Sequence, residues 1–250
     1  MGLAVRVIPV LLARGHQLVK GERFNSWRSV GHIEQGMRIM QSRECDEIIL
    51  LDISATPDGR GPDFAQIERV SANCFCPLTV GGGVRSLDDV RGLLRAGADK
   101  VSICTAALDL ELLEEISEAI GRQAIVVSLD VRDGKVAANG GKVVEVSHYD
   151  LDPRYVAQKL ERFGAGEILL TSCDREGTLQ GYDLELIEQI SGLVSIPVIA
   201  HGGCGSYEHM AEAILAGASA VAVGAFFQFC DATPKEASEY LQSVGIEGRV

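Results

Sequence analysis

Short apolar runs alternate along the chain with longer amphipathic stretches. The runs are Val5–Leu12, Ile48–Ile53, Leu78–Val80, Val101–Ile103, Ile125–Leu129, Ile168–Leu170, Pro197–Ala200 and Val221–Val223. They are short, often β-branched and without strict polar alternation, as in strands covered on both faces. The intervening pattern predicts helices over about 31–44, 63–73, 87–96, 109–120, 153–163, 183–192, 206–216 and 235–244. Ser86, Asp152 and Ser206 are start signals, and Gly97 and Gly217 fit helix ends. Eight strand–helix pairs in 250 residues predict a single-domain (β/α)8 barrel of the α/β class over 1–250. An open doubly wound sheet usually has fewer strands and does not need the internal symmetry that follows.

The chain repeats itself. Thr79-Val80-Gly81-Gly82-Gly83 aligns with Ile199-Ala200-His201-Gly202-Gly203, and Ala96-Gly97-Ala98 aligns with Ala216-Gly217-Ala218. Val101 aligns with Val221, and Glu47-Ile48 with Glu167-Ile168, always at the same offset. Such a period predicts two half-barrels closing into one ring.

Charge and cysteine content narrow the function. The net charge of −12 argues against a phosphate-backbone binder. No apolar run is long enough to span a membrane, and the start lacks a basic leader. Seven Cys without a CxxC pair point to a reducing compartment, with most of them as small core residues. No metal and no cofactor is expected, and the expected location is the cytoplasm.

In a barrel of this kind, chemistry belongs to the loops at the C-terminal strand ends. Strands three and seven end in Gly81-Gly82-Gly83 and Gly202-Gly203, where backbone N–H groups can approach an oxyanion. Cys104-Thr105 and Gly224-Ala225 would complete two phosphate cups, with Gly177 and Thr178 adding donors to the second. Asp130 ends strand five and is the candidate acid/base, against a structural cap. Asp52 ends strand two in the same manner. Lys20, Phe24, Trp27 and Arg28 lie in a predicted polar loop that either closes over a ligand or packs on the rim. His201 is placed in a loop beside substrate, and His148 in a less defined loop. At the opposite end, Arg6, Glu47, Lys100 and Glu167 stand at the starts of alternate strands, where a ring of salt bridges would plug the barrel.

Several segments are familiar. Ala165-Gly166-Glu167-Ile168-Leu169-Leu170-Thr171-Ser172, Gly177-Thr178, Gly181-Tyr182-Asp183-Leu184 and Thr79-Val80-Gly81-Gly82-Gly83-Val84-Arg85 resemble HisF, the cyclase-subunit family of imidazole glycerol phosphate synthase. Leu94–Ile103 and Val198-Ile199-Ala200 extend the likeness. The resemblance implies a barrel paired with a HisH-like glutaminase, whose ammonia crosses the barrel to a substrate with two phosphates. It implies that Arg6, Glu47, Lys100 and Glu167 form the ammonia gate, that Asp99 faces the glutaminase and that Asp130 is catalytic. Phosphate or substrate binding would fall to Lys20, Gly82, Gly83, Cys104, Thr105, Thr171, Gly177, Thr178, His201, Gly202, Gly203, Gly224 and Ala225.

Departures accompany the likeness. Leu12 stands where the resemblance expects a second catalytic carboxylate, and it cannot carry a proton. Cys104, Glu176 and His201 replace Asn, Asp and Ser of the family pattern. With Phe24-Asn25-Ser26-Trp27-Arg28-Ser29-Val30-Gly31, they resemble the WbuZ-type branch linked to glycosyl amidation. The leading expectation is therefore an ammonia-conducting subunit of a glutamine amidotransferase. It would serve amidation of a surface-polysaccharide sugar, such as that of lipopolysaccharide O-antigen, alongside an ATP-dependent sugar amidotransferase. The alternative is the cyclase subunit of histidine biosynthesis; a third reading is a non-enzymatic scaffold for the glutaminase.

Overall fold

The structure, a computed structural model, describes residues 4–144 and 151–247. His148 lies outside the described residues. Eight parallel strands close into a barrel in the order β1 (Arg6–Arg14), β4 (Ile48–Asp52), β5 (Leu78–Gly81), β6 (Lys100–Ile103), β7 (Ile125–Arg132), β10 (Glu167–Ser172), β11 (Val198–His201), β12 (Ala220–Val223) and back to β1. Helices α1 (Ile33–Ser42), α2 (Phe64–Ser71), α3 (Leu87–Arg95), α4 (Leu110–Ile120), α5 (Pro153–Arg162), α6 (Leu184–Ser191), α7 (Tyr207–Leu215) and α9 (Pro234–Ser243) follow the strands, with the short α8 (Ala225–Phe229) preceding α9. No helix among the described residues is long and apolar enough to cross a membrane.

Two excursions depart from the predicted pattern. The expected polar loop after the first strand is a β-hairpin, β2 (Gln17–Glu22) and β3 (Asn25–His32), extending β1. Strand β7 likewise continues into β8 (Lys135–Ala138) and β9 (Lys142–Val143). Pattern reading missed the first because β3 is polar and largely exposed, so nothing in its periodicity marks it as a strand.

The repeat is written into the backbone. Ser86 and Ser206 cap α3 and α7 with nearly the same dihedrals, each accepting from the third helical N–H. Asp63 and Asp183 do the same for α2 and α6. Gly97 and Gly217 leave helix ends at φ +103° and +106°, a conformation costly to a side chain. Ser71 and Ser191 donate to the preceding carbonyls, Ala96 and Ala216.

Alternation of side chains along each strand divides the core in two. Val7, Leu11, Ile48, Leu50, Val127 and Ile168 face the helices. Ile8, Val10, Leu12, Ile49, Val126, Leu169, Ile199, Ala220 and Ala222 fill the barrel interior. Of the seven Cys, Cys173 and Cys204 are buried, Cys45, Cys74 and Cys76 are half-buried against the helix-facing core, Cys104 is half-buried and Cys230 is exposed. Helix α9 starts with a capping box, Thr233 accepting from Glu236 N–H while Glu236 accepts from Thr233. Thr233→Ala is expected to cost about 1 kcal/mol, a loss of roughly 2–4 °C in melting temperature by calorimetry.

Candidate active site

The inward phase that buries Ile8 and Leu169 also fixes both ends of the barrel. Arg6 precedes Ile8 by two positions and Glu167 precedes Leu169 by two, so both point inward at the bottom. Arg6 donates to Glu47 at 2.8 Å and to Glu167 at 2.7 Å. Lys100 lies 2.7 Å from Glu167 and 3.5 Å from Glu47, closing a ring of alternating charge. Thr79 donates a further bond to Glu47 at 2.8 Å. Glu47, Lys100 and Glu167 come from the second, fourth and sixth barrel strands, but Arg6 comes from the first, so the four do not stand on alternate strands throughout. Burial opposes the charge of Glu167, yet hydrogen bonds and charge from Arg6 and Lys100 hold its carboxyl below the usual range. Its contribution to stability is present above the unfolded value of about 4.3 and is lost as pH falls through the lower folded value.

On the same end, Asp99 is exposed while its carboxylate accepts from Leu78 N–H at 2.8 Å. Phe75, in the loop entering β5, is 91 % exposed.

Six residues above Arg6 in the same phase stands Leu12, 4 % exposed. It lines a mouth cavity of about 180 Å3 with Trp27, Gly82, Gly83, Cys104, Thr105, Asp130, Thr171, Glu176 and His201. A wider groove of about 990 Å3 runs from Val144 and Leu151 past Asp133, Arg154 and Asp174, and contains none of the interior residues. The smaller cavity is therefore the candidate site.

Asp130 is buried at the end of this inner column. Its carboxylate accepts from Ser128 at 2.9 Å and faces the Cys104 thiol at 3.6 Å. Burial pushes its carboxyl up against the opposing bonds from Ser128, Cys104 and Thr171, and the charge of Glu176 adds to the rise. Burial, and then the Asp130 charge, keeps Cys104 a neutral thiol. Ser102 and Ser128, absent from the sequence-based set, also line the cavity. Their phase was the available signal: both lie an even number of positions from inward residues.

The two glycine cups differ. Gly82 and Gly83 adopt φ +113° and +75°, and a side chain on Gly82 would run into the Asp52 carbonyl. They line the cavity beside Cys104 and Thr105. Gly202 and Gly203 have similar dihedrals, +96° and +100°. Neither they nor Gly177, Thr178, Gly224 and Ala225 line the cavity. The Lys20 ammonium covers Gly224, with Glu176 beside it. The Thr178 hydroxyl donates to Arg175 O at 2.7 Å.

Asp52 pairs with Arg60 at 2.7 Å and accepts from Ser54, as a structural cap does, and it also lines the cavity. Two further expectations are corrected. His201 is the last residue of β11, not a loop residue, and is buried with Nδ1 3.1 Å from the Thr171 hydroxyl. Trp27 and Arg28 lie in β3; Trp27 packs on the interior cluster at the rim, and Arg28 stacks over Phe229.

Comparison with known proteins agrees with this architecture. Residues 6–233 match the family described as "Histidine biosynthesis protein". The chain is 43 % identical to imidazole glycerol phosphate synthase subunit HisF of Corynebacterium diphtheriae over the whole of both chains. It is 42 % identical to the subunit of the same name from Corynebacterium glutamicum, again over the whole of both. With its half-barrel repeat, glycine turns and full-length likeness in hand, the chain belongs to the histidine biosynthesis protein family as a HisF-like (β/α)8 barrel.

Proposed function

We propose that the chain is the barrel subunit of a glutamine-dependent synthase of the imidazole glycerol phosphate type, acting in histidine biosynthesis. The observation that carries this reading is one inner column with a closed ionic ring at its foot and a buried Asp130 at its head. The full-length likeness to two subunits named HisF supports it. In this reading a HisH-like glutaminase docks on the ring end, where Asp99 and Phe75 are exposed. Ammonia passes the ring and enters the mouth, where Gly82, Gly83 and Thr105 seat a phosphate and Asp130 transfers protons.

Leu12 favours a second reading. It places an apolar side chain in the cavity where the sequence resemblance expects a carboxylate. There the barrel hands ammonia to amidation of a surface-polysaccharide sugar, with an ATP-dependent amidotransferase as partner. One assay separates the two. Purified chain, ammonia and the bisphosphate precursor of imidazole glycerol phosphate are expected to give turnover. An inactive barrel that still stimulates its glutaminase would overturn the first reading in favour of the second.

A further inference from the structure

Proton-transfer chemistry at a mouth of this kind needs two groups that can exchange protons. Asp130 is one. Leu12 cannot be the other; the Ser128 and Thr171 hydroxyls are already engaged by Asp130 and His201, and Ser102 and Thr105 offer only hydroxyls. Two polar atoms in the cavity wall stand out. Glu176 Oε1 and His201 Nε2 are fully buried, and neither has a hydrogen-bond partner among the described residues. Both residues line the cavity that holds Asp130, and they are 3 % and 4 % exposed.

Leaving a buried carboxylate oxygen unpaired costs roughly 1–3 kcal/mol or more, so its persistence in a cavity wall asks for a purpose. The backbone around it is tightly held: Glu176 N donates to Ser172 O at 3.0 Å, and Glu176 O accepts from Arg23 N at 2.7 Å. The side chain leaves this anchor and crosses toward the β12–β1 side. Its Oε1 lies 3.7 Å from the point where a Cβ on Gly224 would sit. Lys20 Nζ covers the same glycine and donates to Val10 O at 3.4 Å, two residues below Leu12. The carboxylate therefore reaches the sector of the mouth that Leu12 occupies, across from Asp130 on β7. His201 Nε2 stands 3.6 Å from Glu176 Oε2, outside hydrogen-bond reach but close enough to exchange a proton through a bound ligand atom. Its other nitrogen meets the Thr171 hydroxyl, which orients the ring.

We propose that Glu176, with His201 beside it, is the second proton-transfer group of this barrel and acts opposite Asp130. The inference rests on the proposed function above and deepens it. As ammonia adds to a carbonyl carbon, the C–N bond forms and the π pair moves to oxygen. The protonated Asp130 delivers its proton to that oxygen. The nitrogen sheds a proton to the Glu176 carboxylate. One proton is given and one taken, and the two carboxyl groups exchange states until the next step resets them. Besides Asp130, the groups that act electrostatically around Glu176 are His201, Lys20, Tyr182 and Cys204.

The test compares the full-length chain with Glu176→Gln, Glu176→Asp and His201→Asn, using ammonia and the bisphosphate precursor. Glu176→Gln is expected to lower kcat by about 10²–10⁴-fold with little change in KM and to erase one limb of the pH profile. Glu176→Asp, one methylene shorter, is expected to lose less. A turnover in Glu176→Gln equal to that of the unsubstituted chain, or a rise in KM alone, overturns the inference and leaves the functional reading intact. A second measurement does not depend on turnover. Imidazole NMR should show His201 titrating at lower pH in Glu176→Gln, since the Glu176 charge supports its protonated form. An unmoved His201 titration would break the pairing. An unsubstituted chain without turnover but with the coupled titration overturns the functional reading and with it the proton-transfer role.

Discussion

Asp130→Asn is expected to lower ammonia-dependent turnover by about 10²–10⁴-fold while making the barrel more stable at neutral pH. Asn keeps the shape and can still accept from Ser128, but it neither ionises nor gives up a carboxylic proton. The stability effect follows from the raised carboxyl of the folded state. Below the unfolded value of about 3.9 both states hold the proton. As pH rises through the window above it, the unfolded chain releases the proton first and the native barrel loses stability relative to it. The substitution removes that loss. Thermal unfolding of both proteins across pH should show curves that coincide near pH 3.5 and separate as pH increases. Equal turnover would remove Asp130 from the chemistry; a variant less stable at pH 7 than the parent would mean the carboxylate is a structural anchor.

The second large effect is expected at the other end of the barrel. Glu167→Gln breaks the two shortest ring contacts, to Arg6 and Lys100, and leaves Glu47 alone against two cations. Breaking a fully buried pair costs about 3–5 kcal/mol; the cost is smaller here because Arg6 and Lys100 retain 16 % and 19 % side-chain exposure. The difference in stability should shrink as pH falls from the unfolded value of about 4.3 through the lower value of the native carboxylate. The functional consequence is sharper. With the glutaminase and glutamine as nitrogen source, product formation should fall about tenfold, equivalent to ~1.4 kcal/mol. With free ammonia supplied at the mouth it should stay close to the parent. Equal losses from both nitrogen sources would mean that the ring only holds the barrel together.

The barrel was legible in the sequence because its signals are local and redundant. Capping residues such as Ser86 and Ser206 and turn glycines such as Gly97 and Gly217 recur at one offset, so each half corroborates the other. The hairpin β2–β3 was not, since a polar, exposed ribbon leaves no apolar stripe. At the site, Asp130 was readable because a carboxylate closing an apolar strand is costly without a role. Glu176 was readable only as a departure from the family pattern within a polar loop. Its inward turn depends on backbone bonds to Ser172 and Arg23 and on the hairpin packed above it, all long-range facts. The asymmetry of the two glycine cups was hidden for the same reason: Lys20 reaches Gly224 from a strand that periodicity did not reveal.

The hydrocarbon stratum between ring and mouth has its own implication. Ile8, Val10, Ile49, Val126, Leu169, Ile199, Ala220 and Ala222 offer a passing solute no hydrogen bonds from their side chains. An ion stripped of hydration there would pay several kcal/mol, whereas a small uncharged amine pays far less. Under the proposed ammonia-transfer reading, this strand interior selects by charge, favouring nitrogen as the free base over ammonium.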